Sequence, residues 1–220
     1  ALLLTTSGCS TISGWFSDDD EDLTAPVELT DIDEKVRIKK LWSTGVGDGQ
    51  GEGLYRIRPL LHEGKIFAAS SDGKVRALDP GKGKTLWKRG LGKALSGGVG
   101  AYDNALFLGS SEGEVIRLDA STGELLWSTQ LHGEVLAAPQ GNGKVVVAQT
   151  YDGKLQGLDC ASGELLWTYD SNVPVLTLRG TSTPAVGYGA VIAGFASGKL
   201  AALTIGEGFV AWEASVAVPK

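Results

Sequence analysis

The sequence predicts an all-β protein, a β-propeller of four-stranded antiparallel blades, and three observations predict it. The first is a repeat. LDASTGELLW at Leu118–Trp127 returns as ALDPGKGKTLW at Ala77–Trp87, GLDCASGELLW at Gly157–Trp167 and, in worn form, ALTIGEGFVAW at Ala202–Trp212. The tryptophans closing these copies, together with Trp42 in KKLWS, stand at intervals of 45, 40, 40 and 45 residues, which is the length of one propeller blade. The second is the half-repeat before each tryptophan. GKIFAASSDGKVRALD, NALFLGSSEGEVIRLD, GKVVVAQTYDGKLQGLD and GAVIAGFASGKLAALT each give an apolar run, a polar turn ending in Gly and a second alternating run, the pattern of a hairpin. The third is composition: 32 glycines among 220 residues, with 21% charged, suit many short strands joined by tight turns.

Within each repeat the residue types have structural work. Gly73, Gly113, Gly153 and Gly198 sit where a hairpin turn asks for a positive φ. Asp79, Asp119 and Asp159 end the next strand and are placed to accept backbone N–H groups through their carboxylates. Gly83, Gly123, Gly163 and Gly208 complete the turn into the outer strand. The indole that follows has a large apolar body and one donor, suited to packing between blades and bonding a carbonyl there. These residues build blades rather than chemistry.

At the N-terminus, ALLLTTSGCS resembles the end of a bacterial lipoprotein signal, in which the cysteine, here Cys9, is lipidated. Thr6 departs from the Leu that pattern prefers, whereas Ser7 and Gly8 fit, and Ser10 agrees with sorting to the outer membrane. Residues 10–34 are polar and acidic, as a flexible tether would be, apart from Trp15 and Phe16, which suit either a membrane interface or no role. KVRIKKLW, Lys35–Trp42, alternates as a strand and opens the propeller, assigned to 35–220. After Trp212, EASVAVPK reads as the innermost strand of a further blade, so about four to five blades of a longer ring are expected.

Charge excludes some functions. The net charge is −6, and DDDED at Asp18–Asp22 supplies −5 of it, so the remainder is near neutral and lacks the basic patch that nucleic-acid binding needs. Cys9 and Cys160 are too few for a disulfide framework or a zinc site, and Cys160 takes the register of Pro80 and Ala120, a small turn residue. His62 and His132 are isolated, without metal-ligand spacing or a nucleophilic partner.

The repeat resembles the Trp-docking blades of pyrroloquinoline-quinone (PQQ) dehydrogenases and their non-enzymatic relatives. Three further stretches, VGDGQGEGLYRIRPL at Val46–Leu60, SGGVGAY at Ser96–Tyr102 and VPVLTLRGTSTPAVGYG at Val173–Gly189, resemble the BamB family of outer-membrane assembly lipoproteins. That resemblance implies an eight-bladed ring without catalysis, cofactor or metal. It implies a lipid anchor on the periplasmic face of the outer membrane. It also implies binding to the periplasmic (POTRA) domains of BamA within the BAM complex, and help in folding and inserting outer-membrane proteins. The family's L-x-L-R-G contact sequence falls here on Leu176, Leu178, Arg179 and Gly180. Leucines two apart share one face of an extended segment, and an adjacent Arg adds charged, bidentate hydrogen bonds. The same residues also fit an inner strand facing the core. Two other functions compete. A quinoprotein dehydrogenase would need a calcium site and a central catalytic Asp, and a generic envelope adaptor would need a different partner.

Overall fold

The structure is a computed structural model, and it describes residues 26, 28–33, 35–53, 55–175 and 177–217. It divides into two units, Ala1–Lys39 and Lys40–Lys220. The described residues of the first unit carry no strand.

The second unit contains four antiparallel four-stranded sheets, each paired in chain order. Blade one is β1 (Leu60–His62), β2 (Lys65–Ala69), β3 (Lys74–Leu78) and β4 (Thr85–Gly90). Blade two is β5 (Gly100–Tyr102), β6 (Ala105–Gly109), β7 (Glu114–Asp119) and β8 (Leu125–Gln130). Blade three is β9 (Gln140–Gly141), β10 (Val145–Gln149), β11 (Lys154–Asp159) and β12 (Leu165–Asp170). Blade four is β13 (Ala185–Gly187), β14 (Ala190–Gly194), β15 (Lys199–Thr204) and β16 (Val210–Ser215). The repeat therefore gives the expected blades.

Hydrophobic pattern follows each blade's neighbours. β6 and β10, sandwiched on both faces, are buried at every position, which is why ALFLG and VVVAQ run almost without polar interruption. β14 has one face uncovered, and Ile192 on it is 38% exposed. Three apolar clusters fill the gaps. Leu106, Leu108 and Ile116 meet Phe67 and Val75 between blades one and two. Phe107 and Val115 meet Val146 and Leu158 between two and three, and Val147 and Leu155 meet Val191 and Leu203 between three and four.

Each outer strand carries the same irregularity. The ladders shift register between Ala77 and Leu78, Arg117 and Leu118, Gly157 and Leu158, and Ala202 and Leu203. Such a bulge sets an extra residue on the outer strand. It leaves both leucines of each ELLW copy half exposed on the rim.

The tryptophans dock between blades as their chemistry suggests. Nε1 of Trp42, Trp87, Trp127 and Trp167 donates to the carbonyls of Pro80, Ala120, Cys160 and Ile205 at 2.8, 2.9, 3.0 and 2.9 Å. Each acceptor lies in the β3–β4-type turn of the following blade, directly after the repeat Asp or its substitute Thr204. Because a main-chain carbonyl does the accepting, side chains as different as Pro80, Ala120, Cys160 and Ile205 serve equally. The buried Cys160 thiol is pushed above its ordinary pKa by desolvation, so it is an inert filler. The turn glycine has a double reason. Gly163 has φ +78°, and a Cβ there would stand 2.7 Å from the Trp127 ring.

The aspartates close these turns. Ser121 and Thr122 N–H donate to Asp119 Oδ1 at 2.9 and 2.8 Å, and Ala161 and Ser162 N–H to Asp159 Oδ1 at 3.0 and 2.7 Å. Hydrogen bonds from Ser162, main chain and hydroxyl, hold Asp159 below the usual carboxylate pKa.

Two expectations are corrected. Residues 35–42 form no strand: alternation alone makes no ladder without a partner, and no ladder pairs them among the described residues. Residues 213–215 do not begin an innermost strand but continue β16, as the sister outer strands also run three residues past their tryptophans. Val216 N–H then donates to Gly198 O at 2.9 Å, as Leu91 does to Gly73 and Leu131 to Gly113.

Candidate partner-binding site

The segments leading into the four innermost strands lie side by side, and close backbone approach makes this work. A Cβ at Gly97 would stand 2.7 Å from Ala137 O and 3.0 Å from Val135 O, so Gly97 is what lets the segment leading blade two touch the one leading blade three, whereas a Cβ at Gly98 would meet Arg58 N and Ala138 Cβ at ordinary contact distances of 3.5 and 3.6 Å. Hydroxyls pin the same segments: Ser96 Oγ donates to Val135 O at 2.9 Å, and Ser182 Oγ accepts the Gly194 N–H at 3.1 Å while donating to Gln149 Oε1 at 3.0 Å.

The segment of residues 171–184 leads blade four. Its described residues form no strand, and the innermost strand of that blade is β13 instead. Of the two readings of the L-x-L-R-G stretch, the inner strand is thus excluded for the described residues. Val175 and Leu178 are exposed, Leu178 at 91%. Leu176 lies outside the described residues, as does the proposed lipidation site Cys9.

Arg179 ties this loop to two others. Its Nη2 donates to Glu134 Oε1 at 2.7 Å and its Nε to Oε2 at 3.1 Å, a bidentate pair. Its guanidinium carbon stands 5.0 Å from the centroid of the Tyr55 ring, and Nη2 reaches the Tyr55 hydroxyl at 3.4 Å. The Glu134 carboxylate, then the Tyr55 hydroxyl, push the guanidinium pKa still higher than its ordinary value. Glu134 is placed by its own carbonyl, which accepts the Tyr151 N–H at 2.9 Å.

Both members of the ion pair are about a third exposed, 40% for Arg179 and 31% for Glu134, so solvent screening limits the pair to under about 1 kcal/mol. Its effect is geometric: it holds Leu178 beside a depression of about 460 Å³ lined also by Tyr55, Arg56, Leu136 and Thr181. The sequence pointed to Leu178 and Arg179 but missed their partners. Glu134 is 45 residues away and Tyr55 is 124 away, in stretches without a common local signal.

A family model, curated relatives and a solved structure point to the same family. The family model described as "Outer membrane protein assembly factor BamB" matches residues 71–220. The chain belongs to the BamB family. A relative of that name from Pseudomonas aeruginosa is 55% identical over 220 residues, covering 100% of this chain and 56% of that protein. The chain thus spans little more than half the length of its curated relative. The crystal structure of BamB from Moraxella catarrhalis superposes with a TM-score of 0.67 at 30% identity, covering 71% of this chain and 48% of that one.

A quinohemoprotein alcohol dehydrogenase from Comamonas testosteroni reaches a TM-score of 0.60 over 76% of this chain and 35% of its own, but at 16% identity it shares the fold alone. Among the described residues, no group of three or more His, Cys, Asp or Glu could hold a metal ion.

Proposed function

We propose that this chain belongs to a non-catalytic scaffold lipoprotein of the outer-membrane protein assembly (BAM) complex. It is anchored through Cys9 on the periplasmic face of the outer membrane, and it binds the POTRA domains of BamA through Leu176, Leu178 and Arg179. Its mechanism is positioning: blades locked by docked tryptophans hold the leading loops rigid, and the loops hold the partner's domains in orientation for folding and inserting β-barrel proteins. The observation that carries the reading is Leu178, a large apolar side chain 91% exposed on a loop fixed by the Arg179–Glu134–Tyr55 tie, within a chain of the BamB family. An exposed apolar anchor beside a preorganised arginine is the composition of an interface hot spot.

Pull-down with the BamA periplasmic region tests it. Alanine at Leu176, Leu178 and Arg179 together is expected to weaken binding at least tenfold; equal capture by wild type and triple variant removes the site, and no capture by wild type removes the partner. The anchor is tested apart, by Cys9→Ser in the full-length precursor. That variant is expected to lose palmitate labelling and leave the membrane fraction, and unchanged labelling would assign the lipid elsewhere.

A further inference from the structure

The leading segment of blade one reads Tyr55-Arg56-Ile57-Arg58, and its burial alternates. Ile57 is 8% exposed and sits in the apolar cluster between blades one and two, whereas Arg56 and Arg58 on either side of it are exposed. Period-two alternation puts both side chains on the same outward face, on backbone positions about 6.6 Å apart where the segment is extended. Neither side chain makes a hydrogen bond or an ion pair with any described residue. Arg179, Lys93, Lys154 and Lys199 each have a carboxylate partner, whereas Arg56 and Arg58, like Arg76 and Arg89, have none among the described residues.

Both border the hub, the ground where the leading segments of the blades meet. Arg56 lines the depression beside Leu178 and Arg179, and also the adjoining one that holds Arg58, Leu60 and Val99; Leu136 and Thr181 are shared between the two. The buried hydroxyl of Thr181, which lines both, has no hydrogen-bond partner among the described residues.

We propose that Arg56 and Arg58 read an acidic, extended stretch of the protein partner, with carboxylates two residues apart and an apolar side chain between them. The match is one of period and charge. Carboxylates at alternate positions of an extended chain repeat at the same spacing as the two arginine positions and can take bidentate hydrogen bonds from their guanidinium groups. The intervening side chain faces the apolar floor formed by Leu60, Val99 and Leu136. This deepens the docking reading and rests on it: Leu178 anchors the partner, and the arginine pair sets which segment fits and speeds its approach.

Affinity for the BamA periplasmic region is measured for wild type, Arg56→Ala/Arg58→Ala and Arg56→Lys/Arg58→Lys, at low and high salt. A labelled decapeptide of alternating Asp and Val is measured alongside its Lys–Val counterpart. The double alanine variant is expected to lose about tenfold in affinity for both the partner and the acidic peptide and to flatten the salt dependence. The lysine variant recovers part of the loss, and the basic peptide binds to neither. Because both side chains are exposed, tryptophan emission stays that of the folded protein. Equal affinities and equal salt slopes for wild type and double alanine variant overturn the proposal, and partner binding that falls with Leu178→Ala but not with the arginine variants overturns it while leaving the docking reading intact. Acidic-peptide binding that needs the arginines, with no partner binding by wild type, sustains the proposal and removes BamA as the docking partner.

Discussion

Gly100→Val is expected to cost about 3 kcal/mol or more of folding stability, lowering the urea midpoint by roughly 1–2 M. The reason is contact rather than backbone conformation. Gly100 opens β5, and a Cβ there would stand 1.7 Å from Pro139 O and 3.0 Å from Pro139 C, beside the innermost strand of the next blade. Both atoms are main chain, so no rotamer change relieves the overlap; the innermost strands of blades two and three must separate. That separation also loosens the neighbouring contacts that depend on the same approach, Ser96 to Val135 among them. Gly90→Ala is the control, since it ends β4 with nothing within 4 Å of the new Cβ, and its midpoint is expected to move by less than about 0.5 kcal/mol equivalent. A Gly100→Val midpoint equal to that of Gly90→Ala would show that the hub segments do not need their close approach.

The two glycines divide what could be seen beforehand from what could not. Gly163 was legible, because its place between a repeat Asp and a repeat Trp identifies a turn, and the structure adds the indole lying across it. Gly100 was not: its constraint is a carbonyl 39 residues later, brought near by the packing of blades, and nothing in SGGVG names Pro139. The same holds for Arg179. Its charge and the exposed leucine beside it could be read locally, whereas Glu134 and Tyr55 belong to other blades' leading segments. Conversely, KVRIKKLW carried a strand's alternation without a strand's ladder, since pattern specifies a face but cannot supply a partner. EASVAVPK has a simpler reason: its alternation suits an inner strand, but outer strands run three residues past their tryptophans in every sister copy, and β16 keeps that register.

The inner and outer halves of each blade thus hold the protein by different means. Near the hub, glycines allow backbones to touch and hydroxyls tie them, which leaves side chains such as Leu178, Arg56 and Arg58 outward and available. Toward the rim, the indoles of Trp87, Trp127 and Trp167 each fill a gap between blades and bond the next blade's turn. Rigidity of the hub loops therefore depends on tryptophans well removed from them in sequence.

Trp167→Ala is accordingly expected to destabilise by about 3–5 kcal/mol, the range for emptying a buried aromatic site. Trp167 is 8% exposed, donates to Ile205 O at 2.9 Å, and lies against both Gly208 and Gly157, where added Cβ atoms would come within 2.6 and 2.2 Å of its ring system. Removing it opens a void between blades three and four that those glycines cannot fill. Trp167→Phe separates packing from hydrogen bonding. It keeps much of the apolar body but leaves the Ile205 carbonyl without its donor, for an expected loss of about 1–3 kcal/mol. Trp212→Ala is the internal comparison, being the same repeat position at 44% exposure with no hydrogen-bond partner for its Nε1 among the described residues. Its loss is expected to be smaller, about 1–2 kcal/mol, because nearly half of its surface is already in water and no hydrogen bond goes with it. Urea unfolding followed by circular dichroism, so that the probe does not depend on the residue removed, ranks the three. An equal effect from Trp167 and Trp212 would show that the repeat tryptophans do not stabilise the propeller by docking onto the following blade.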